Sequence, residues 1–194
     1  MRNVSSFILG NITDTCAVWN LLSSDRLLAA ALMRRCEFAI TRVVLYECLL
    51  KPRTRADIHD DELRSRLVRE REAKRFRDLP LTLEDVQEVA RLQERRRLGH
   101  GELASIAFAK RTHSAFCSDD MNAVKLAEAV LGRDRVQTTP HLLGWLVFDG
   151  TLGDGDVADV IRQHREAGGP LAPHLDTMSR EGLRCRLMVR NTQQ

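Results

Sequence analysis

Five carboxylates stand where the neighbouring sequence gives them little reason to be. Asp14, in ILGNITDTCAVWNLL, is the only charged residue between Arg2 and Asp25. Glu47 is the only charge in VVLYECLL, Glu102 follows Gly99-His100-Gly101, and Asp119 and Asp120 end the apolar run AFCS. An ionised carboxylate in apolar surroundings is costly unless a cation or a hydrogen-bond donor meets it. Three of these positions also have an ordinary structural use. Asp14 suits the N-cap of the next helix, one of Asp119 and Asp120 suits the cap of NAVKLAEAVL, and Glu102 suits the positive end of a helix dipole. Glu47 falls mid-helix, where no cap is required, and the second acid of an adjacent pair repels the first unless a cation is near. Asp and Glu gathered without His or Cys suit hard, oxygen-seeking ions such as Mg²⁺ or Mn²⁺. Two such ions about 4 Å apart activate a water and stabilise the leaving oxygen of a phosphodiester.

The elements that must bring these acids together alternate between strand and helix. Residues 3–13 read as an apolar strand around Phe7-Ile8-Leu9, followed by a helix near 17–22 and a second over 24–35. EFAI (37–40) is a very short strand, and Thr41 caps a helix through VVLYECLL. Opposite charges at helical spacing predict an exposed helix from Asp60 to Phe76. Leu81 to Arg97 is announced as a helix by the capping box Thr82-Leu-Glu-Asp85. Gly99-His100-Gly101 breaks it, Glu102 opens ELASIAFAKRT, SAFCS (114–118) is a core strand, and Asp120 begins the next helix. RVQTT (135–139) is a strand, Pro140 starts a helix, and Asp154 or Asp156 starts another that stops at Gly168-Gly169. The segment 170–194 reads as one short helix, about 175–182, and a polar tail. This alternation predicts an α/β fold, a three-layer α/β/α sandwich with a central parallel sheet, whose ligands gather at the carboxyl ends of the strands.

The 194 residues suit one globular domain spanning 1–194, with 170–194 as its extension. No run of about 18 apolar residues suggests a membrane span, and the N-terminus lacks the pattern of a signal peptide, so a soluble cytoplasmic protein is expected. Cys16, Cys36, Cys48, Cys117 and Cys185 are odd in number and lie mostly in apolar runs. Reduced thiols filling core space fit them better than disulfides or a zinc knuckle. The net charge is only +3, but Lys51, Lys74, Lys110 and Lys125 are the only lysines, and every other cation is arginine, the better clamp for phosphate. Arg95, Arg96 and Arg97 directly precede Gly99, which makes them candidates for contact with nucleic acid. His100, between glycines, reads as solvated, and the other histidines show no metal-ligand spacing.

Asp14-Thr15, Thr41 with Glu47, Gly101-Glu102-Leu-Ala-Ser-Ile-Ala, and Ser118-Asp119-Asp120 with Ala123 and Ala127 occur in an order that resembles the PIN-domain family of metal-dependent ribonucleases. The resemblance covers residues 5–165, and the GE and DD forms look closest to the toxin-like branch found in toxin–antitoxin pairs. It implies a PIN-like fold in which Asp14, Glu47, Glu102 and Asp119 or Asp120 form the acidic set. Asp14, Glu102, Asp119 and Asp120 would hold Mg²⁺ or Mn²⁺, while Thr15 and Ser118 support the metal-bound water or the neighbouring carboxylates. It further implies endonucleolytic cleavage of RNA by a metal-activated water, an antitoxin protein as partner, and a homodimer, for which LLAAALM serves as well as it serves a core. Two positions depart from that branch: Val124 stands where arginine is common, and Thr138 where glycine is common.

A catalytically inactive PIN-like module that binds RNA or protein is the alternative, and the complete set of acids argues against it. A phosphatase of the haloacid dehalogenase type also starts with an Asp at the end of its first strand, but Cys16 stands where its second aspartate belongs. A phospho-acceptor receiver domain is disfavoured because its acidic pair precedes the acceptor strand.

Overall fold

The apolar stretch near the start of the chain becomes a strand only at its end. In the computed structural model, which describes residues 3–51 and 58–192, β1 covers Gly10–Thr13 and residues 3–9 carry no strand structure. Phe7 is buried by other means, its ring stacked on Trp145 at 5.4 Å and tilted against His141 at 5.3 Å. An aromatic ring that follows two serines finds its partner in helices as readily as in a sheet. The chain gathers into two compact units, one of Met1–Leu9, Asn20–Cys36 and Thr138–Gln194, the other of Gly10–Trp19 and Glu37–Gln137.

The second unit contains the sheet. Helix α1 (Thr15–Leu22) begins in it, and β2 (Glu37–Thr41), β3 (Phe76–Leu79), β4 (Ala115–Cys117) and β5 (Val136–Gln137) join β1 in the order β3-β2-β1-β4-β5, every pair parallel. Parallel neighbours require crossover connections. The chain passes through α1 and the helix Asp25–Met33 from β1 to β2, through α3 (Arg42–Leu49) and α4 (Ile58–Glu72) from β2 to β3, through α5 (Leu83–Arg95) and α6 (His100–Thr112) from β3 to β4, and through α7 (Met121–Leu131) from β4 to β5. The unit is thus α/β with a five-stranded all-parallel sheet, consistent with the expected three-layer sandwich.

Both faces of the central strand are buried, and its side chains show it. Ile12 packs with Ile106, Phe116 and Val136, while Thr13 turns its hydroxyl to the Ala39 carbonyl at 3.0 Å. Every residue of α6 from Leu103 to Ala109 is buried, as expected of a helix that is apolar all round. Thr41 caps α3, its hydroxyl accepting the Val44 amide at 3.3 Å. Thr82 and Asp85 form the anticipated capping box of α5. The chain builds β1, β2 and β3 outward on one side, then returns for β4 and β5 on the other. The order therefore reverses between β1 and β4, the place where ligands of open α/β sheets gather.

Strand β3 was not foreseen, because Phe76 reads as the end of the charged helix. The helix stops at Glu72, Lys74 takes a left-handed φ of 59°, and the chain turns back so that Phe76 stacks on Phe38 at 5.8 Å. Arg77 and Asp78, exposed on this edge strand, hide the apolar signal. Residues 52–57 of the arginine-rich stretch lie outside the described residues.

The other unit is helical. Its members are α2 (Asp25–Met33), α8 (Thr139–Asp149), α9 (Asp154–Glu166) and α10 (Ala172–Thr192). Ser24 caps α2 and also donates to Gln163 Oε1 at 2.6 Å, tying α2 to α9. The last helix is far longer than the short one expected, because α10 packs along α8 and its polar composition is that of an exposed face. A Cβ on Gly182 would stand 2.2 Å from the Gly144 carbonyl oxygen, so this glycine pair lets the two backbones approach closely. All five cysteines are free thiols, with Cys36, Cys48 and Cys117 buried. Among the described residues no helix is long and apolar enough to cross a membrane.

Candidate functional site

Pairing of β1 with β4 sets Thr13 opposite Cys117, so the residues that follow, Asp14 and Ser118, leave the sheet side by side. The Asp14 amide continues the ladder by donating to the Cys117 carbonyl at 3.3 Å. Its side chain is fully buried. Oδ1 accepts the Ala17 amide at 2.9 Å, the capping role open to it from sequence, whereas Oδ2 is buried with no hydrogen-bond partner. Burial pushes this carboxyl up to about 7; the Ser118 hydroxyl and the Ala17 amide pull against that, and the charges of Asp119 and Glu102 add to it.

Glu47 projects from α3 and is fully engaged. The Thr15 hydroxyl donates to its Oε2 at 2.6 Å and the Gly101 amide to its Oε1 at 3.2 Å. A Cβ on Gly101 would fall 2.2 Å from Oε2, so glycine is the residue that admits this carboxylate to the start of α6. An acid in mid-helix with no partner in its own segment is thus met by a hydroxyl from α1 and an amide from α6.

Glu102, the third residue of α6, is half-buried and its Oε2 has no hydrogen-bond partner. Burial, then the charges of Asp120 and Glu47, raise its carboxyl above the ordinary range. Asp120 proves to be the cap of α7: its Oδ1 accepts the amides of Asn122 at 2.6 Å and Ala123 at 2.9 Å. The Ser118 hydroxyl, fully buried, accepts the Asp120 amide at 3.1 Å and so shapes the turn carrying both aspartates. Asp119 is half-buried and acts electrostatically on Asp14.

All five acids therefore lie within electrostatic reach of at least one other, and each comes from a strand end or a helix start, except Glu47, which projects from within α3. Arg96 turns toward the start of α7, its Nη2 donating to Asn122 Oδ1 at 2.6 Å, while Arg95 and Arg97 are exposed. Ser105, to which sequence reasoning gave no role, is fully buried and donates to the Thr13 carbonyl at 3.3 Å, fixing α6 against the end of β1. Its signal was a lone hydroxyl in ELASIAFA.

The donors are all oxygen, which fits Mg²⁺ or Mn²⁺, and Asp14 Oδ2 and Glu102 Oε2 are buried acceptors that a cation would satisfy. Among the described residues no three His, Cys, Asp or Glu side chains stand in a ready ligating arrangement. Comparison with protein-family models, with curated proteins and with solved structures gives no match.

Proposed function

We propose that this chain is a metal-dependent endoribonuclease of the PIN type. The observation that carries the reading is Asp14, a fully buried carboxylate with one unpartnered oxygen, set among further acids where the strand order reverses. Asp14, Glu102, Asp119 and Asp120 would hold Mg²⁺ or Mn²⁺, which supplies an activated water and stabilisation of the leaving oxygen. Glu47, held by Thr15 and Gly101, orients the start of α6 against α1 and adds negative charge that favours a bound cation. Ser118 sets the angle of the Asp119-Asp120 turn. Because Asp14 holds its proton up to about 7, an ion must displace that proton, and binding strengthens as pH rises through neutrality.

Purified protein is expected to cleave single-stranded or structured RNA with Mg²⁺ or Mn²⁺, leaving a 5′-phosphate and a 3′-hydroxyl, and Asp14→Asn abolishes the activity. Metal-independent cleavage that survives this change would sink the assignment. Calorimetric titration with Mn²⁺ addresses the alternative, an inactive binding module, which absence of binding by folded protein would favour. Within this reading the protein acts in the cytoplasm as the toxin of a toxin–antitoxin pair. Its expression alone should arrest growth, and co-expression of a small adjoining reading frame should relieve the arrest; harmless expression of the active nuclease would leave a housekeeping or defence role.

A further inference from the structure

We propose that Arg96 is the phosphate anchor of this site, a guanidinium preordered by Asn122 to meet the RNA backbone beside the carboxylates. The inference rests on the endoribonuclease reading for its substrate and separates one arginine from two neighbours that look equivalent in sequence. Arg95 and Arg97 are exposed, whereas Arg96 is half-buried and its Nη2 donates to Asn122 Oδ1 at 2.6 Å. Asn122 is the second residue of α7, and its backbone N–H in turn donates to Asp120 Oδ1 at 2.6 Å. The residue that holds the guanidinium is thus itself fixed, through its backbone, by the cap of α7.

The partner's neutrality is what matters. Elsewhere in this unit Arg135 gives its Nε to the Leu131 carbonyl at 3.0 Å, at the far end of α7, and other bonded arginines meet acids: Arg71 meets Asp78, Arg75 meets Glu70, Arg91 meets Glu88 and Arg111 meets Asp85. Those charges are cancelled where they stand. Among the described residues, the side chain of Arg96 is held by a carboxamide alone. An amide oxygen fixes one N–H of the fork without neutralising it, and leaves the remaining N–H groups for an anion whose shape suits bidentate contact, a phosphodiester. Ordering the side chain in advance removes part of the entropy cost of binding. The amides at the start of α7 are not the anchor, because those of Asn122 and Ala123 already go to Asp120.

The test is binding of a fluorescein-labelled single-stranded RNA oligonucleotide to the Asp14→Asn protein with Mg²⁺, read by anisotropy over a salt series. Arg96→Ala should weaken binding about tenfold, alike for unrelated sequences, and reduce the salt slope by about 0.7, the share of one phosphate on a single strand. Arg96→Lys should recover only part of this. Asn122→Ala should cost less, and should add nothing in the Arg96→Ala protein, since it acts through the guanidinium. Arg95→Ala and Arg97→Ala should cost about twofold at most. Equal losses at all three arginines overturn the anchor, as does a loss at Asn122 that adds in full to that at Arg96, or no binding by the parent protein. Arg96-dependent binding without metal-dependent cleavage by the wild-type chain would remove the nuclease reading and leave the anchor standing.

Discussion

Asp85 and Asp14 are both buried, both cap a helix in the sheet unit, and differ in nearly everything else. The two oxygens of Asp85 take Arg111 Nε at 2.8 Å and Nη2 at 3.0 Å, and its Oδ2 also accepts the Thr82 amide and hydroxyl at 2.8 and 3.0 Å. Burial alone would raise its carboxyl, but the hydrogen bonds from Arg111 and Thr82 outweigh it and hold the group below the ordinary range. Asp14 has one amide, the Ser118 hydroxyl and acidic neighbours, and its carboxyl rises to about 7. A carboxylate that belongs to the architecture is surrounded by donors, whereas one left short of them is held by the fold at a cost in stability. Natural proteins tolerate such a cost where function requires it.

Substitution should therefore move the two acids in opposite directions. The largest effect is expected from Asp85→Ala, which strands the partly exposed Arg111 and dissolves the capping box: a loss of about 3 kcal/mol in denaturant melts, with cleavage unchanged under conditions where the protein stays folded. If the loss is under about 1 kcal/mol, the contrast fails at its structural pole. Next, Asp14→Asn should gain about 2 kcal/mol at neutral pH in metal-free buffer with EDTA and, on the endoribonuclease proposal, abolish cleavage in buffer with Mg²⁺ or Mn²⁺.

The sign of that gain depends on pH. With its folded value raised, Asp14 favours the native state fully below its ordinary value of 3.8 and loses that contribution as pH climbs to about 7. The stability gap between Asp14→Asn and wild type should thus widen over this range and level off above it. Asp85, with its value lowered, does the reverse, and its contribution fades as the solution is acidified. Parallel pH profiles for the two variants would erase the distinction.

Two smaller effects sharpen it. Gly101→Ala places a methyl group against Glu47 Oε2, so the acid must leave Thr15 and the Gly101 amide. Cleavage should fall about tenfold, roughly 1.4 kcal/mol of barrier, with melting little changed because alanine suits a helix. Asp120→Ala should cost about 1 kcal/mol of stability as a lost cap. Asp119→Asn should leave stability intact and reduce cleavage, which divides two residues that are adjacent in the sequence.

That division could not be read from Ser118-Asp119-Asp120 itself, since either aspartate has the right type and position to cap. The acids were legible because a charge in an apolar run is rare, and helix starts such as Thr41 and Thr82 because capping is local chemistry. What bonds across the chain was not legible: Thr15 to Glu47, Arg96 to Asn122 and Ser105 to the Thr13 carbonyl depend on which strand lies beside which. The same reason explains β3, whose Arg77 and Asp78 look like helix until Phe76 finds Phe38, and α10, whose polar residues conceal a long face packed along α8.

The sheet order has a consequence in time as well as in space. Strand β1 is made first and lies at the centre, yet its neighbour β4 is synthesised only after the whole of α3 to α6. Contacts between distant segments form late in folding because their loops must close first. Asp14 is therefore ready early and without company, and the Asp119-Asp120 turn arrives last. On the endoribonuclease proposal, a growing chain that has not yet placed β4 carries the first acid without the Asp119-Asp120 turn beside it and is inert toward RNA.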